Sequence, residues 1–226
     1  MRIYLAFIVL IFLNSCDCPT GIETPRETEP VEFSNVRYFN ALTDFESISI
    51  SYEAYPLIDS LSYEQQASEY MASPAGSSKL FVSENPDSLI ILNAPTKLDT
   101  NTSYDMIFYG KRNSVRVKIF DTQEKANESM TALAIVNAAQ QGGDEAVEIR
   151  ITGNSGNYQY DLDYFGSGVY ENVDVGTYRI EAYSKKSGLI IASAENISLS
   201  ANDYRLVVLR GDSESGTRGV ELVVKL

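Results

Sequence analysis

Short runs of alternating apolar and polar residues follow one another from Asn35 to the end of the chain. In the run 147–152, Val and Ile occupy every second position, with Glu, Arg and Thr between them, and the runs 115–119 and 178–182 repeat the scheme. This period of two predicts half-buried β-strands, and turn residues about every eight to twelve positions predict β-sandwiches. The segment 123–130 contains good helix formers without an apolar stripe, so we predict a linker there.

The chain also repeats itself with a period of about 100 residues. Four segments match in the same order in both copies: Tyr38–Ala41 with Ile135–Ala138, Tyr70 with Tyr170, Ala75-Gly76 with Val175-Gly176, and Leu98–Tyr104 with Leu199–Tyr204. A repeat of this length is typical of a sandwich domain and is too long for a solenoid unit. We therefore predict an all-β fold with two tandem immunoglobulin-like β-sandwich domains, at 34–122 and 131–226.

These turn residues resemble the bacterial family called domain of unknown function 4397. Asn40-Ala41 and Asn137-Ala138 stand where that family has His-Ala or Asn-Ala, and Asp44 stands at its Asp. Residues 175–178 match its Ala-Gly-Thr-Tyr strand, whereas its proline is missing from both copies, with Thr43 in the first. The resemblance implies a secreted or lipid-anchored protein of tandem immunoglobulin-type modules, and it implies no biochemical activity.

The first residues have the parts of a secretory signal. Arg2 gives the charged start, residues 3–13 are dominated by Ile, Leu, Phe and Val, and the quartet 13–16 (Leu-Asn-Ser-Cys) resembles a lipobox. The apolar run is too short for a transmembrane helix, which needs about 20 residues. We therefore predict a lipoprotein signal peptide at residues 1–15 and lipidation at Cys16.

Residues 16–33 are predicted to be a lipid anchor and a disordered tether. The segment is rich in proline and glutamate and poor in apolar residues, so it cannot bury enough surface to offset the entropy of ordering. Asp17 follows Cys16, which favours the inner membrane under the enterobacterial sorting rule. That rule does not hold across bacteria, so the membrane stays open, with the outer membrane preferred and the body in the periplasm or at the cell surface.

The composition argues against several classes of function. The 226 residues include 31 Asp and Glu against 18 Lys and Arg, a formal charge of −13, which disfavours nucleic acid as a partner. There is no histidine, the usual general base and the commonest metal ligand. Two cysteines exclude a disulfide framework and a thiolate zinc site.

Two arrangements of residues could nevertheless support catalysis. Asp161 and Asp163 share a strand face about 6.5–7 Å apart, a separation similar to that of an inverting glycosidase pair. Apolar and aromatic residues fill the opposite face, so we predict that both aspartates point into solvent. A serine nucleophile would need a lysine base, and the candidates lie in polar segments where surface lysines are expected: Lys111, Lys185 and Lys186.

Calcium and glycans are the other ligands to consider. The acidic groups at Asp144-Glu145, Asp203 and 212–214 lack the spacing of a calcium loop, so we predict solubilising charge and no metal. The 15 tyrosines could line a glycan platform if exposed ones cluster, although half-buried strand positions are the default for tyrosine.

We therefore predict a non-catalytic, lipid-anchored protein of the cell envelope that binds an unknown envelope protein or glycan or serves as a structural spacer, without a cofactor. The alternatives are a glycan-binding or adhesion module and, less favoured, a carboxylate-dependent glycoside hydrolase. We also expect few contacts across the linker, so that fragments 34–124 and 128–226 fold separately.

Overall fold

The structure is a computed structural model, in which Val31–Leu226 form one compact unit. It describes residues 32–53, 55–65, 67–122, 128–139, 146–163, 168–212 and 219–225. Cys16, the predicted signal peptide and the tether up to residue 31 lie outside the described residues. Within the ranges described there are sixteen strands and no helix, and hence no helix long and apolar enough to cross a membrane.

Each half of the unit contributes eight strands. The first module consists of β1 (Phe33–Asn40), β2 (Ser47–Tyr52), β3 (Tyr55–Ser62), β4 (Met71–Pro74), β5 (Gly76–Asn85), β6 (Ile90–Leu98), β7 (Ser103–Tyr109) and β8 (Arg116–Asp121). The second consists of β9 (Met130–Asn137), β10 (Val147–Gly153), β11 (Asn157–Leu162), β12 (Gly168–Asp174), β13 (Gly176–Ser184), β14 (Ile190–Leu199), β15 (Asp203–Arg210) and β16 (Glu221–Lys225). The predicted all-β fold is confirmed.

Each module is a sandwich of two four-stranded sheets, with orders β3-β2-β5-β6 and β4-β1-β7-β8 in the first and β11-β10-β13-β14 and β12-β9-β15-β16 in the second. A buried cluster fills the space between the two sheets of each module. In both modules the first strand pairs in parallel with the seventh. The eight strands of one module therefore correspond one to one with those of the other, as the internal repeat predicts.

One pair in the repeat needs correction. The last residues of β1 and β9 pair with Phe108 and Leu209, respectively, so the structural counterpart of Tyr104 is Arg205. Tyr104 points into the core of the first module, whereas Tyr204 packs on the opposite face of its sheet. A shift of one residue moves a strand side chain to the other face, which is why the match of these two tyrosines fails.

A third buried cluster joins the modules. It lies between the sheets that contain β1 and β9, so the unit has four sheet layers in which the two inner sheets are buried on both faces. Strands of this kind contain continuous apolar runs, as at 132–136 in β9 and 206–209 in β15. The cluster consists of Phe39, Ala41, Ile107, Tyr109, Phe120, Ala134, Val136, Ala138, Leu206, Val208 and Val223. The expectation of few contacts between the modules is therefore wrong.

Arg210 adds a polar link between the modules. Its guanidinium is buried, donates to the carbonyls of Tyr63 at 2.7 Å and Asn40 at 3.3 Å, and stacks on the Tyr63 ring at 3.9 Å. Its Nε also donates to a carboxylate oxygen of Glu221 at 2.7 Å. Arg210 and Glu221 belong to the second module and both carbonyls to the first, so this side chain fixes the two modules against each other.

The predicted linker 123–130 lies mostly outside the described residues. Residues 123–127 lie outside the described residues, 128–129 form a turn, and β9 already begins at Met130.

The two Asn-Ala motifs have a structural role. Asn40 is buried, donates from Nδ2 to the carbonyl of Leu61 at 3.0 Å and accepts from the N–H of Leu42 at 3.0 Å. Asn137 does the same with the carbonyl of Asp163 and the N–H of Ala139. Each asparagine thereby satisfies backbone groups where the chain leaves the inner sheet and connects that sheet to the outer one.

Candidate functional site

A cavity of about 450 Å³ opens at the junction of the two modules. The first module contributes Arg37 from β1 and residues 67–70, which precede β4. The second contributes Val224 and Lys225 from β16. A site built from both modules exists because the inner sheets pack face to face, and interfaces between domains are common places for ligand sites.

A buried ion pair forms one wall of this junction cavity. Arg37 Nε and Nη2 donate to the two carboxylate oxygens of Asp105 at 2.8 and 2.9 Å, and both side chains are almost fully buried. The pair is possible because Arg37 and Asp105 are register partners on neighbouring parallel strands, β1 and β7. Two parallel N–H···O bonds hold the guanidinium in a defined orientation.

Tyr70 is held against this pair. Its Oη donates to Asp105 at 3.3 Å, and the carbon of the Arg37 guanidinium lies 4.9 Å from the ring centroid. Burial of the hydroxyl group, followed by the negative charge of Asp105, raises the pKa of Tyr70 to about 12. The residue as a whole is nevertheless 43% exposed. The result is an oriented aromatic surface, open to solvent, beside a carboxylate and a guanidinium.

A second candidate surface consists of two hairpin turns, which we call the apolar tips: Leu89-Ile90 and Leu189-Ile190. Leu89 and Leu189 are 60% and 67% exposed, and both isoleucines are also exposed. The turns share two features: Ser88 and Gly188 have positive φ, and each donates its N–H group to the carbonyl four residues earlier at 2.8 Å. The local backbone thus places the same apolar pair at equivalent positions of both modules.

Both apolar tips lie at the same end of their modules. Asn85 ends β5 opposite Ser47, the first residue of β2, and Ser184 ends β13 opposite Val147, the first residue of β10. Asn40, which ends β1, donates to the carbonyl of Leu61 beside the start of β2, and Asn137, which ends β9, donates to the carbonyl of Asp163 beside the start of β10. Therefore β1 and β9 both run towards this end.

The two modules also present this end on the same side of the unit. Arg210, the last residue of β15, contacts the carbonyl of Asn40, the last residue of β1, so these strands end together. Phe33, with which β1 begins, lies at the opposite end. The apolar tips therefore share what we call the distal end, far from the residue at which the chain enters the first sandwich.

The predicted carboxylate pair is exposed, as expected. Asp161 and Asp163 are exposed, and Asp161 forms an ion pair with Lys185 at 2.7 Å. On the same strand Tyr158 and Tyr160 pack against the core of the second module. The prediction that these two aspartates face solvent is therefore confirmed.

The other predicted candidates are scattered. Lys111 is exposed, and Asp203 forms an ion pair with Arg205 at 2.8 Å. Asp144-Glu145 and residues 213–214 lie outside the described residues. Among the residues that the structure describes, no three acidic or cysteine side chains are placed to hold a metal ion.

The tyrosines do not form a common platform in the described part of the chain. Among the tyrosines whose side chains the structure describes, Tyr55 and Tyr70 are exposed. Tyr55 lies against Phe33, with 6.4 Å between ring centroids, while Tyr70 belongs to the junction cavity. Sequence reasoning missed both candidate surfaces, although the matching Leu-Ile-Ile runs at 89–91 and 189–191 are a visible signal for the apolar tips.

No model of a known protein family matches this chain, and no curated protein is similar to it. Among solved structures, it is similar to a family 26 carbohydrate-binding module of Eubacterium rectale Amy13K in complex with maltoheptaose, with a TM-score of 0.30, 11% identity, and coverage of 85% of this chain and 96% of that chain. It is also similar to the fimbrial anchor protein Mfa2 of Porphyromonas gingivalis, with a TM-score of 0.29, 10% identity, and coverage of 85% and 97%. Likenesses this distant carry no argument about function.

Proposed function

We propose that this protein is a non-catalytic, lipid-anchored binding protein of the bacterial cell envelope. Lipid on Cys16 would hold it at the membrane, and residues 17–32, which precede β1, would span at most about 53–58 Å if fully extended. The two-module body would then present its distal end to a protein partner. The observation that carries this proposal is the pair of apolar tips at that end.

Exposure of the apolar tips to water is unfavourable in free energy. Burial of a leucine or isoleucine side chain is worth about 1.5–3 kcal/mol, so four exposed ones favour contact with another surface. The turn residues just before them differ between the modules, Pro-Asp-Ser at 86–88 and Lys-Ser-Gly at 186–188, while Leu-Ile-Ile follows in both. Solubility alone would not favour the same apolar residues in both turns.

The partner expected from this chemistry is a protein with two apolar patches and little negative charge around them. The apolar tips belong to the two outer sheets, which are three sheet spacings apart, or roughly 30 Å. The formal charge of −13 disfavours an acidic partner and an anionic lipid surface. Two contact points on one rigid body would strengthen binding without a large continuous interface.

Site-specific photocrosslinking in intact cells tests the proposed surface. A photoreactive amino acid in place of Leu89 or Leu189 should yield an adduct with the same envelope protein from both positions. The matched control is Val175, which is also apolar and 41% exposed but lies in the turn before β13, at the opposite end of the same module. Adducts formed equally at Val175, or different proteins captured by the two apolar tips, would contradict the proposal.

The anchor is tested separately by Cys16→Ser. We expect this variant to keep its unprocessed mass or to appear in the soluble fraction, and to lose the acyl chains found on the wild-type protein by mass spectrometry. Cys18→Ser is the matched control and should remain lipidated. Membrane partition and acylation that persist in Cys16→Ser would refute the lipoprotein assignment.

A further inference from the structure

The junction cavity has the size of a small-molecule site. Its volume of about 450 Å³ falls within the range of ligand pockets, about 300–1,000 Å³. Ala67 gives it an apolar wall, and Val224 borders it while its side chain packs against the core of the second module. The charged and hydroxyl groups around the cavity come from Arg37, Ser68, Glu69 and Lys225. It lies on the flank of the unit, beside the middle of β1, and is distinct from the apolar tips.

Tyr70 is the central group of this cavity. The hydrogen bond to Asp105 and the stacked guanidinium of Arg37 fix the ring in place. A fixed ring costs little conformational entropy when a ligand binds, and its open surface suits the flat face of C–H groups on a pyranose ring.

The charges of the cavity indicate a neutral ligand. Asp105 compensates the charge of Arg37 through a bidentate ion pair, and Glu69 and Lys225 supply one charge of each sign at the rim. Ligand hydroxyl groups can donate to the carboxylate and accept from the ammonium or guanidinium at the same time. A ligand with a net charge would gain attraction from one rim group and repulsion from the other.

We propose that the junction cavity binds a neutral oligosaccharide, one ring of which stacks on Tyr70 while its hydroxyl groups contact Glu69 and Lys225. This site is independent of the proposed protein-binding role of the apolar tips. Each module contributes part of it, so it forms only when the inner sheets are packed together. Binding of a sugar should consequently stabilise the packed arrangement of the two modules.

Isothermal titration of the full-length protein in detergent micelles tests this inference. The probes are neutral trisaccharides of glucose, mannose, galactose and N-acetylglucosamine, with trigalacturonic acid as the charged comparison. At least one neutral probe should bind. Tyr70→Ala should weaken that binding roughly tenfold, because the stacking surface is lost, whereas Tyr70→Phe should retain most of it.

Tyr55→Ala is the matched control, since Tyr55 is 46% exposed in the same module but away from the cavity. It should change the affinity by less than about twofold. Because Tyr70→Ala could disturb the Arg37–Asp105 pair, Glu69→Ala at an exposed position provides a second variant, and it should weaken binding roughly tenfold. The inference is overturned if no neutral probe binds at millimolar concentration, if trigalacturonic acid binds best, or if the Tyr55 variant loses as much affinity as the Tyr70 and Glu69 variants.

Discussion

Arg210→Ala should lower the free energy of unfolding by about 3 kcal/mol. The guanidinium is 2% exposed and supplies hydrogen bonds to the carbonyls of Asn40 and Tyr63 as well as to Glu221. Its removal leaves two buried carbonyls without this donor and opens a cavity against the Tyr63 ring. Urea unfolding followed by circular dichroism measures the change.

A surface arginine is the appropriate control for Arg210. Arg179 forms ion pairs with Glu181 at 2.8 Å and Glu195 at 3.6 Å, and its side chain is about half exposed. Exposed pairs of this kind contribute little, so Arg179→Ala should cost less than about 1 kcal/mol. If both arginine variants lower the free energy of unfolding equally, the Arg210 link between the modules contributes no more to stability than a surface ion pair.

Separation of the two modules should have a still larger effect. Fragments 34–124 and 128–226 each expose one side of the cluster between the inner sheets, including Phe39 and Ile107 on the first and Val208 on the second. Burial of each such side chain stabilises the folded state by about 1.5–3 kcal/mol, whereas the whole free energy of unfolding of a domain is only about 5–15 kcal/mol. We therefore expect each isolated fragment to lose cooperative unfolding, to bind a hydrophobic dye and to aggregate.

Cutting the folded protein between the two modules tests whether packing alone, without the covalent connection, holds them together. A protease site inserted within 123–127 should allow cleavage after folding, and the two halves should remain associated through the shared cluster. Isolated fragments that unfold cooperatively at the urea midpoint of the intact chain would show that the cluster contributes little. This prediction replaces the expectation of two independent domains.

The inner strands explain why the sequence suggests two independent domains while the structure shows a shared core. The alternation in β10 and β13 correctly predicts strands with one buried and one exposed face. The continuous apolar runs of β9 and β15 indicate burial on both faces, which a lone two-sheet sandwich cannot provide. The composition of these runs predicts that a further layer is needed, but the sequence does not say which surface supplies it.

The sequence predicts the fold better than it predicts the candidate sites. The Asn-Ala motifs predicted the repeat correctly, and the structure explains them through buried backbone hydrogen bonds of Asn40 and Asn137. Arg37 and Asp105 are 68 residues apart and become partners through the parallel pairing of β1 and β7. No local spacing marks such a pair, because parallel pairing joins distant segments of the chain.

The sequence by itself determined the all-β fold, the inward and outward faces of strands such as β10 and β13, and the twofold repeat, because period-two patterning and turn chemistry act over a few neighbouring residues. Only the tertiary structure decided that the modules share a core, that Arg210 fixes them together and that the apolar tips lie at one end. It also decided that Tyr70 of the first module and Lys225 of the second line one cavity. These features depend on how finished sandwiches pack against each other, and that packing brings together side chains more than 100 residues apart.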